Sequence, residues 1–178
     1  MVGRRSRAVK RLFLLRHAKS SWDDPGVADH ERPLAPRGRR AAKLIAEHLR
    51  REPVAPALVL CSSARRTQET LERIAPALRE RAAVQIESEL YAASERRLLE
   101  RLRALEEDVE SVLMIGHNPG VERLALDLAG SGDKLAAVRR KYPTGALVTL
   151  EFTGPWRELR PGTATLADFV TPKQLAKR

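Results

Sequence analysis

The sequence VKRLFLLRHAKSSWDD, residues 9–24, decides how the rest of the chain is interpreted. Its first seven residues, 9–15, are mostly apolar and are typical of a short buried strand. Arg16 and His17 follow directly, so a cation and an imidazole stand where the predicted strand ends. Ligands of parallel sheets bind beyond the carboxyl ends of the strands. The stretch therefore predicts a strand and, at its end, a binding site.

Apolar segments alternate with amphipathic ones along the chain. The other predicted strands are residues 57–61, 84–86, 111–115, 146–152 and 163–170. The predicted helices are residues 38–51, 65–80, 94–107 and 119–129. Strands that are apolar throughout and alternate with amphipathic helices favour a mostly parallel sheet with helices on both faces. We therefore predict an α/β fold, a three-layer α/β/α sandwich around a mostly parallel central sheet.

A length of 178 residues fits one ordinary domain. We predict a disordered basic arm at residues 1–8, a single domain over residues 9–170 and a loose basic end at residues 171–178. The one cysteine, Cys61, fits a reducing compartment. No apolar run approaches the ~20 residues that a membrane span needs. We expect a cytoplasmic protein without membrane contact.

The net charge of +10 first suggests a protein that binds nucleic acid or phosphate. Most of this charge lies at the two ends of the chain, because residues 1–11 carry five bases and no acid and residues 173–178 carry three bases and no acid. Residues 12–172 contain 25 Lys and Arg against 23 Asp and Glu. The predicted domain is nearly neutral, and aromatic residues make up only 4% of the chain. A specific nucleic-acid partner is therefore not expected.

Charged and imidazole side chains follow three of the predicted strands. Arg16 and His17 follow the first, Arg66 comes soon after the second, and His117 follows the strand at residues 111–115. These side chains would converge on one edge of the sheet, where two arginines suit a phosphoryl group. A neutral imidazole can attack phosphorus, and His17 beside Arg16 is the better candidate for the nucleophile. His117 would then donate a hydrogen bond to the charged phosphoryl oxygens.

Neither a metal nor another cofactor is required by this chemistry. The histidine spacing does not match a zinc motif, and the sequence has neither a Walker-type phosphate loop nor a dinucleotide fingerprint. We predict no cofactor.

Taken together, these segments resemble the histidine phosphatase superfamily, the phosphoglycerate-mutase-like clan, and above all its SixA-type phosphohistidine phosphatase branch. The matching motifs are LLRHAKSSWD at residues 14–23, LAPRG at 34–38, SSARRTQET at 62–70 and GHNP at 116–119, with the late segment KYPTGA at 141–146. The resemblance covers residues 9–152, and the motifs occur in the family's order.

The resemblance implies a phosphoglycerate-mutase-like fold and assigns roles to individual residues. It makes His17 the residue that is phosphorylated and selects Arg66 rather than its neighbour for the phosphate pocket, which Arg16 and His117 complete. Ser20 is the further phosphate ligand that the motif implies. The chain departs from the family pattern at Ala18 and Asp23, where the family has glycine and asparagine.

The proton donor is the main departure. Many family members have a glutamate in a Leu-x-Glu element, whereas the corresponding residues 90–92 are Leu-Tyr-Ala. An alkoxide leaving group needs an acid because its conjugate acid is about as weak as water, at ~15.7. Imidazole titrates near ~6.5 and does not need one. The missing acid favours phosphohistidine as substrate, although Glu95 is a possible general acid.

Fifty residues separate Arg66 from His117, and the predicted helices and strands nearly use them up. We therefore predict no lid insertion, which leaves the pocket open to a protein surface. The leading hypothesis is a metal-independent phosphatase of phosphohistidine-bearing proteins, acting in signal transduction. The alternatives are a phosphomonoesterase of small phosphorylated substrates and, from another class, a non-catalytic phosphate or nucleic-acid-binding module.

Overall fold

The computed structural model describes residues 8–52, 54–79 and 82–178. The expectation of a disordered arm falls on residues 1–7, outside the described part, and on Ala8 at its edge. One sheet is built from seven strands, which are β1 (Val9–Arg16), β2 (Leu58–Ser62), β3 (Ala83–Glu87), β4 (Ser111–Gly116), β5 (Ala129–Ser131), β6 (Leu147–Thr153) and β7 (Ala164–Val170).

The strand order is β3-β2-β4-β1-β6-β7-β5. Parallel pairing joins β3 to β2, β2 to β4 and β4 to β1, with Arg16 opposite Gly116 at the carboxyl end. β6 is antiparallel to both β1 and β7, and β5 is parallel to β7. The prediction of a mostly parallel sheet is confirmed, with β6 as its antiparallel member.

Helices cover both faces of the sheet. They are α1 (Pro36–Arg51), α2 (Arg65–Ile74), α3 (Glu95–Arg103), α4 (Gly120–Leu128), α5 (Leu135–Arg140) and α6 (Pro172–Leu175). Because successive side chains of a strand point to opposite faces, β1 contributes to two cores. Leu12 and Leu14 pack in the cluster that includes α3 and α4, and Phe13 and Leu15 in the cluster that includes α1 and α2. This confirms the three-layer arrangement.

Two helices end several residues before the predicted position. The helix expected over residues 65–80 ends at Ile74 and continues as a 3-10 turn, Ala75–Ala77, because Pro76 has no N–H for the helical ladder. The helix expected over residues 94–107 ends at Arg103, and Ser94 caps its first turn by accepting a hydrogen bond from the Arg97 N–H. Neither change moves a candidate site residue to another element.

The C-terminal residues 171–178 are more ordered than the sequence suggested. Thr171 and Gln174 form a reciprocal capping box around α6. Leu175 packs against the core cluster that includes α1. These contacts correct the expectation of a loose end, whose basic composition obscured the capping signal. Among the described helices, none has both the length and the apolar composition needed to cross a membrane.

A glycine near the start of α1 fixes this helix against the segment that follows His17. A Cβ on Gly38 would lie 2.0 Å from the carbonyl oxygen of Lys19. We expect Gly38→Ala to lower the free energy of unfolding by about 2 kcal/mol or more, since backbone atoms cannot yield as a side chain would. Urea unfolding measures this loss. Gly26→Ala, whose Cβ would meet its nearest neighbour at 3.3 Å, is the control, and equal losses in both variants would contradict the expectation.

Candidate active site

The three central parallel strands bring the predicted site residues to one edge of the sheet. Arg16 is the last residue of β1, and the His17 N–H donates to the carbonyl of Gly116 at the end of β4 over 3.1 Å. Arg66 lies in the first turn of α2, which follows β2, and His117 follows β4. The expected convergence of Arg16, His17, Arg66 and His117 is thus present in the fold.

His17 is buried and held in one tautomer. Its Nδ1 lies 2.7 Å from the carbonyl oxygen of Ala18, which can only accept, so Nδ1 carries the proton and donates. The lone pair is therefore on Nε2. Burial lowers the pKa of His17 to about 3, and the positive charges of Arg66 and Arg16 act in the same direction. His17 thus has a neutral imidazole with a free nitrogen lone pair at neutral pH.

His117 faces His17, with ring centroids 5.2 Å apart. Its Nδ1 accepts from Nη2 of Arg66 over 3.3 Å, since a guanidinium can only donate. Its Nε2 therefore carries the proton and donates to Oγ of the fully buried Ser62 over 2.7 Å. Burial first, and then Arg66, lowers the pKa of His117 to about 4. His117 is neutral in this structure, and an incoming dianion would favour its protonation.

Arg66 is held in place by Asp29, a residue that the sequence analysis did not select. The carbonyl oxygen of Asp29 accepts from Nη1 of Arg66 over 2.7 Å, and its carboxylate accepts from Nη2 over 3.2 Å. The same carboxylate accepts from the Tyr91 hydroxyl and from Arg32. The Tyr91 hydrogen bond, followed by the two arginines, lowers the pKa of Asp29 to about 2, so Asp29 is ionised.

Ser20, the expected phosphate ligand, lies behind Asp29. Its buried hydroxyl accepts from Nη2 of Arg32, which also binds Asp29, and the guanidinium of Arg32 stacks on Trp22 at 3.2 Å from the ring centroid. The Trp22 side chain is 69% exposed, so it is not a core residue. Ser20 therefore supports the loop that carries Asp29, and its direct binding to phosphate stays a prediction.

Arg16 has a buried donor without a hydrogen-bond partner in the described part of the chain. Its Nη1 donates to the carbonyl of Tyr142 over 2.9 Å, and the Asn118 amide donates to the same oxygen over 3.1 Å. Nε of Arg16 is buried and has no hydrogen-bond partner among the described residues. Burial lowers the pKa of Arg16, an arginine that is nonetheless charged at all physiological pH values. A buried guanidinium with a free N–H is suited to an oxyanion.

Tyr91 lies in the segment, residues 90–92, that the resemblance aligns with the acid of the family, and Glu95 follows that segment. The Tyr91 ring contacts the rings of His117 and His30 edge-on, at centroid distances of 5.5 and 4.9 Å. Glu95 is the first residue of α3 and is half-buried. Within the described ranges it forms neither a hydrogen bond nor an ion pair. Its role as an acid stays a prediction.

Within residues 8–52, 54–79 and 82–178, no group of three or more His, Cys, Asp or Glu side chains is arranged to hold a metal ion. The site is instead cationic and imidazole-based. Its donors suit a tetrahedral oxyanion, and its neutral imidazole suits attack on the central atom.

Asp29→Asn is expected to weaken the binding of tungstate, a phosphate-shaped oxyanion, by about tenfold. The variant removes the charge that orients Arg66 but keeps the shape of the side chain. Isothermal titration calorimetry measures the affinity. Asp23→Asn is the matched control, since Asp23 is an exposed acid of the same loop. Equal affinities for the two variants would show that Asp29 does not position Arg66.

The two buried histidines predict how stability depends on pH. Their folded pKa values of about 3 and about 4 lie below the unfolded value near ~6.5, so the unfolded chain binds more protons between these limits. The free energy of unfolding should fall by about 1.4 kcal/mol per pH unit for each histidine as the pH drops from 6.5 to 4.5. Urea unfolding of wild type and of a His17→Asn, His117→Asn variant tests this, and equal pH slopes would refute it.

Known proteins are similar to this chain in sequence. The sequence model of one protein family, the histidine phosphatase superfamily (branch 1), matches residues 12–91. An uncharacterized protein of Mycobacterium tuberculosis strain H37Rv is 38% identical over 166 residues, covering 89% of this chain and all of that protein.

Solved structures of histidine phosphatases are also similar to this chain in fold. SixA of Nakamurella multipartitia, for which phosphohistidine phosphatase activity is a proposed assignment, has a TM-score of 0.81 and 30% identity over 93% of this chain and 97% of that one. The protein histidine phosphatase SixA complexed with tungstate has a TM-score of 0.75 and 26% identity, over 93% and 99% of the two chains. The chain belongs to the histidine phosphatase superfamily and to its SixA-like branch.

Proposed function

We propose that the chain is a metal-independent phosphatase that removes phosphate from phosphohistidine on proteins through a phosphorylated His17. The observation that carries the proposal is the state of His17, a neutral imidazole whose Nδ1–H donates to the Ala18 carbonyl and whose Nε2 carries the lone pair. Such a nitrogen is a nucleophile without a separate general base. The similarity to SixA proteins supports the same chemistry.

In the first step, the Nε2 lone pair of His17 forms a bond to phosphorus and the bond from phosphorus to the substrate imidazole breaks. A substrate ring that is protonated on its other nitrogen leaves as neutral imidazole, so no acid has to supply a proton. Nδ1 of His17 keeps its proton on the Ala18 carbonyl. Because nucleophile and leaving group are both imidazoles, the transfer is close to balanced in energy.

In the second step, water attacks the phosphoryl group of His17. The new bond is from phosphorus to the water oxygen, the bond to Nε2 breaks, and the water protons remain on the released phosphate. Arg16, Arg66 and His117 stabilise the negative charge on the phosphoryl oxygens in both steps. The free Nε–H of Arg16 and the Arg66 guanidinium supply fixed donors for this purpose.

A small-molecule phosphomonoesterase is the second candidate function. Glu95 favours it, because a half-buried carboxyl group at the start of α3, without a hydrogen bond or ion pair among the described residues, is available to protonate an alkoxide. Sugar phosphates and other alkyl esters would be the substrates in that case.

The two candidate functions differ in the leaving group of the substrate, so a comparison of substrates distinguishes them. Initial rates are compared for a phosphohistidine protein, p-nitrophenyl phosphate and a sugar phosphate, with wild type and with Glu95→Gln. The proposed function predicts fast turnover of the phosphohistidine protein, little of the sugar phosphate, and no dependence on Glu95. Fast sugar phosphate cleavage that is lost in Glu95→Gln would establish the alternative.

A further inference from the structure

A cleft of about 750 Å³ lies between α1 and α2, outside the candidate active site. It is lined by five cations and one acid, which are Arg39, Arg40, Lys43, Arg50, Arg73 and Glu72. All six side chains belong to exposed residues. Among the described residues, none of the five cations forms an ion pair with a carboxylate, whereas ten pairs of Lys or Arg with a carboxylate occur elsewhere in the described structure. We name this feature the basic cleft.

The charge of the basic cleft is not a consequence of a basic domain. Residues 12–172 carry 25 bases and 23 acids, so five bases beside one acid in a single cleft leave an excess of acids on the rest of the domain. Like charges that face one cleft repel each other unless an anion lies between them. The arrangement therefore indicates an anionic ligand.

The basic cleft begins close to the candidate active site. Arg73 is seven residues from Arg66 on α2, about 10 Å along the helix axis. Glu72 lines both the basic cleft and an adjoining pocket of about 460 Å³. That pocket also includes His30, whose ring contacts Tyr91 of the site. A macromolecule whose phosphoryl group enters the site can thus reach the basic cleft.

We infer that the basic cleft binds an acidic helix on the surface of the phosphoprotein substrate, an inference that rests on the proposed function. Arg39, Lys43 and Arg50 are spaced by four and seven residues and so form one stripe on α1. The stripe is about 16 Å long, which matches three turns of a helix laid along it. Arginine binds carboxylates in a two-pronged geometry. The lining contains no aromatic side chain on which bases could stack.

The kinetic test compares two triple charge reversals. Arg40→Glu, Lys43→Glu, Arg50→Glu changes three cations of the basic cleft and leaves Arg39, whose Nη1 donates to the Leu34 carbonyl over 2.9 Å. Arg139→Glu, Arg140→Glu, Arg160→Glu makes the same change of charge on exposed residues elsewhere. The substrates are an acidic histidine phosphotransfer protein, phosphorylated with phosphoramidate, and p-nitrophenyl phosphate. The KM for the phosphoprotein should rise about tenfold in the cleft variant only. Turnover of p-nitrophenyl phosphate should stay within about twofold in both variants.

Salt provides a second readout. Between about 50 mM and about 500 mM NaCl the KM of wild type for the phosphoprotein should rise, while the KM of the cleft variant stays nearly constant. Equal KM values for the cleft and control variants, with equal salt dependence, would overturn the inference.

Direct binding separates this inference from the proposed function. A fluorescent Glu-rich helical peptide of about 18 residues and a single-stranded DNA of similar charge are titrated with wild type and with both variants. Peptide binding that is lost only in the cleft variant supports the inference. DNA that binds the basic cleft more tightly than the peptide overturns it. A wild-type protein that hydrolyses no phosphohistidine overturns the proposed function, whatever the peptide does.

Discussion

His17→Ala is expected to lower kcat for phosphohistidine hydrolysis by about 10⁴-fold or more, because the variant has no nitrogen that can accept the phosphoryl group. Steady-state hydrolysis of a phosphohistidine protein at saturating concentration measures the loss of kcat. The pocket residues Arg16, Arg66 and His117 remain, so tungstate should still bind. Binding without turnover would separate a missing nucleophile from a collapsed site.

His48→Ala is the matched control for this variant. His48 is a histidine on α1 with the same 8% exposure as His17, and burial lowers its pKa too, but it lies in the helix and not at the sheet edge. We expect its loss to reduce stability and to leave kcat within about twofold. A His17→Ala enzyme that retained a tenth of wild-type activity would contradict the assignment of the nucleophile.

Arg66→Ala is expected to have the second largest effect, a fall in kcat/KM of about 10²- to 10³-fold. Its guanidinium contacts both His117 and Asp29, and these contacts hold it in the position where we propose that it donates to the phosphoryl group. Arg66→Lys should recover only part of the loss, since a single ammonium cannot hold the two-pronged contact with Asp29 and also reach phosphate.

The neighbouring Arg65 is the control for Arg66. Arg65 is exposed and pairs with Glu69 one turn along the same helix at 2.8 Å. We expect Arg65→Ala to keep kcat/KM within about twofold, since exposed pairs of this kind contribute little. Equal losses for Arg65→Ala and Arg66→Ala would mean that general positive charge, and not one positioned guanidinium, binds the phosphoryl group.

The strands that carry the site could be predicted from sequence because their chemistry is local. Residues 12–15 and 112–115 are apolar on both faces of their strands, and the sheet buries both faces there, so pattern and fold agree. The residue after each strand must then lie at the sheet edge. This reasoning predicted the positions of His17 and His117. The three-residue strand β5, Ala129–Ser131, was missed because two of its residues are Gly and Ser, which have low strand propensity.

Asp29 could not be predicted in the same way. It lies in a polar loop without hydrophobic periodicity, and it is 37 positions from Arg66 in sequence. Asp29 reaches Arg66 because its loop folds back over α2. Arg32 holds this loop in place by donating hydrogen bonds to Ser20 and to the Ser21 carbonyl. The role of Ser62 could likewise not be predicted, because the sequence identified Ser62 only as part of a motif. Its contact with His117 arises because β2 and β4 are neighbours in the sheet.

The structure also shows where the cations of the domain lie in the folded protein. The sequence placed most of the excess at the two ends and left a nearly neutral domain. Within that domain, Arg16 and Arg66 lie in the candidate site, and five other cations line the basic cleft. In place of nucleic-acid binding, we propose that the first group binds the phosphoryl group and the second an acidic partner.

The most direct test of the account is to trap the phosphorylated enzyme. The protein is mixed with a ³²P-labelled phosphohistidine protein, quenched in alkali within milliseconds, digested and mapped by mass spectrometry. We predict an acid-labile, alkali-stable phosphoryl group on His17 in wild type and none in His17→Ala. Label on another residue, or rapid hydrolysis without any label on His17, would contradict the central claim that His17 carries the phosphoryl group.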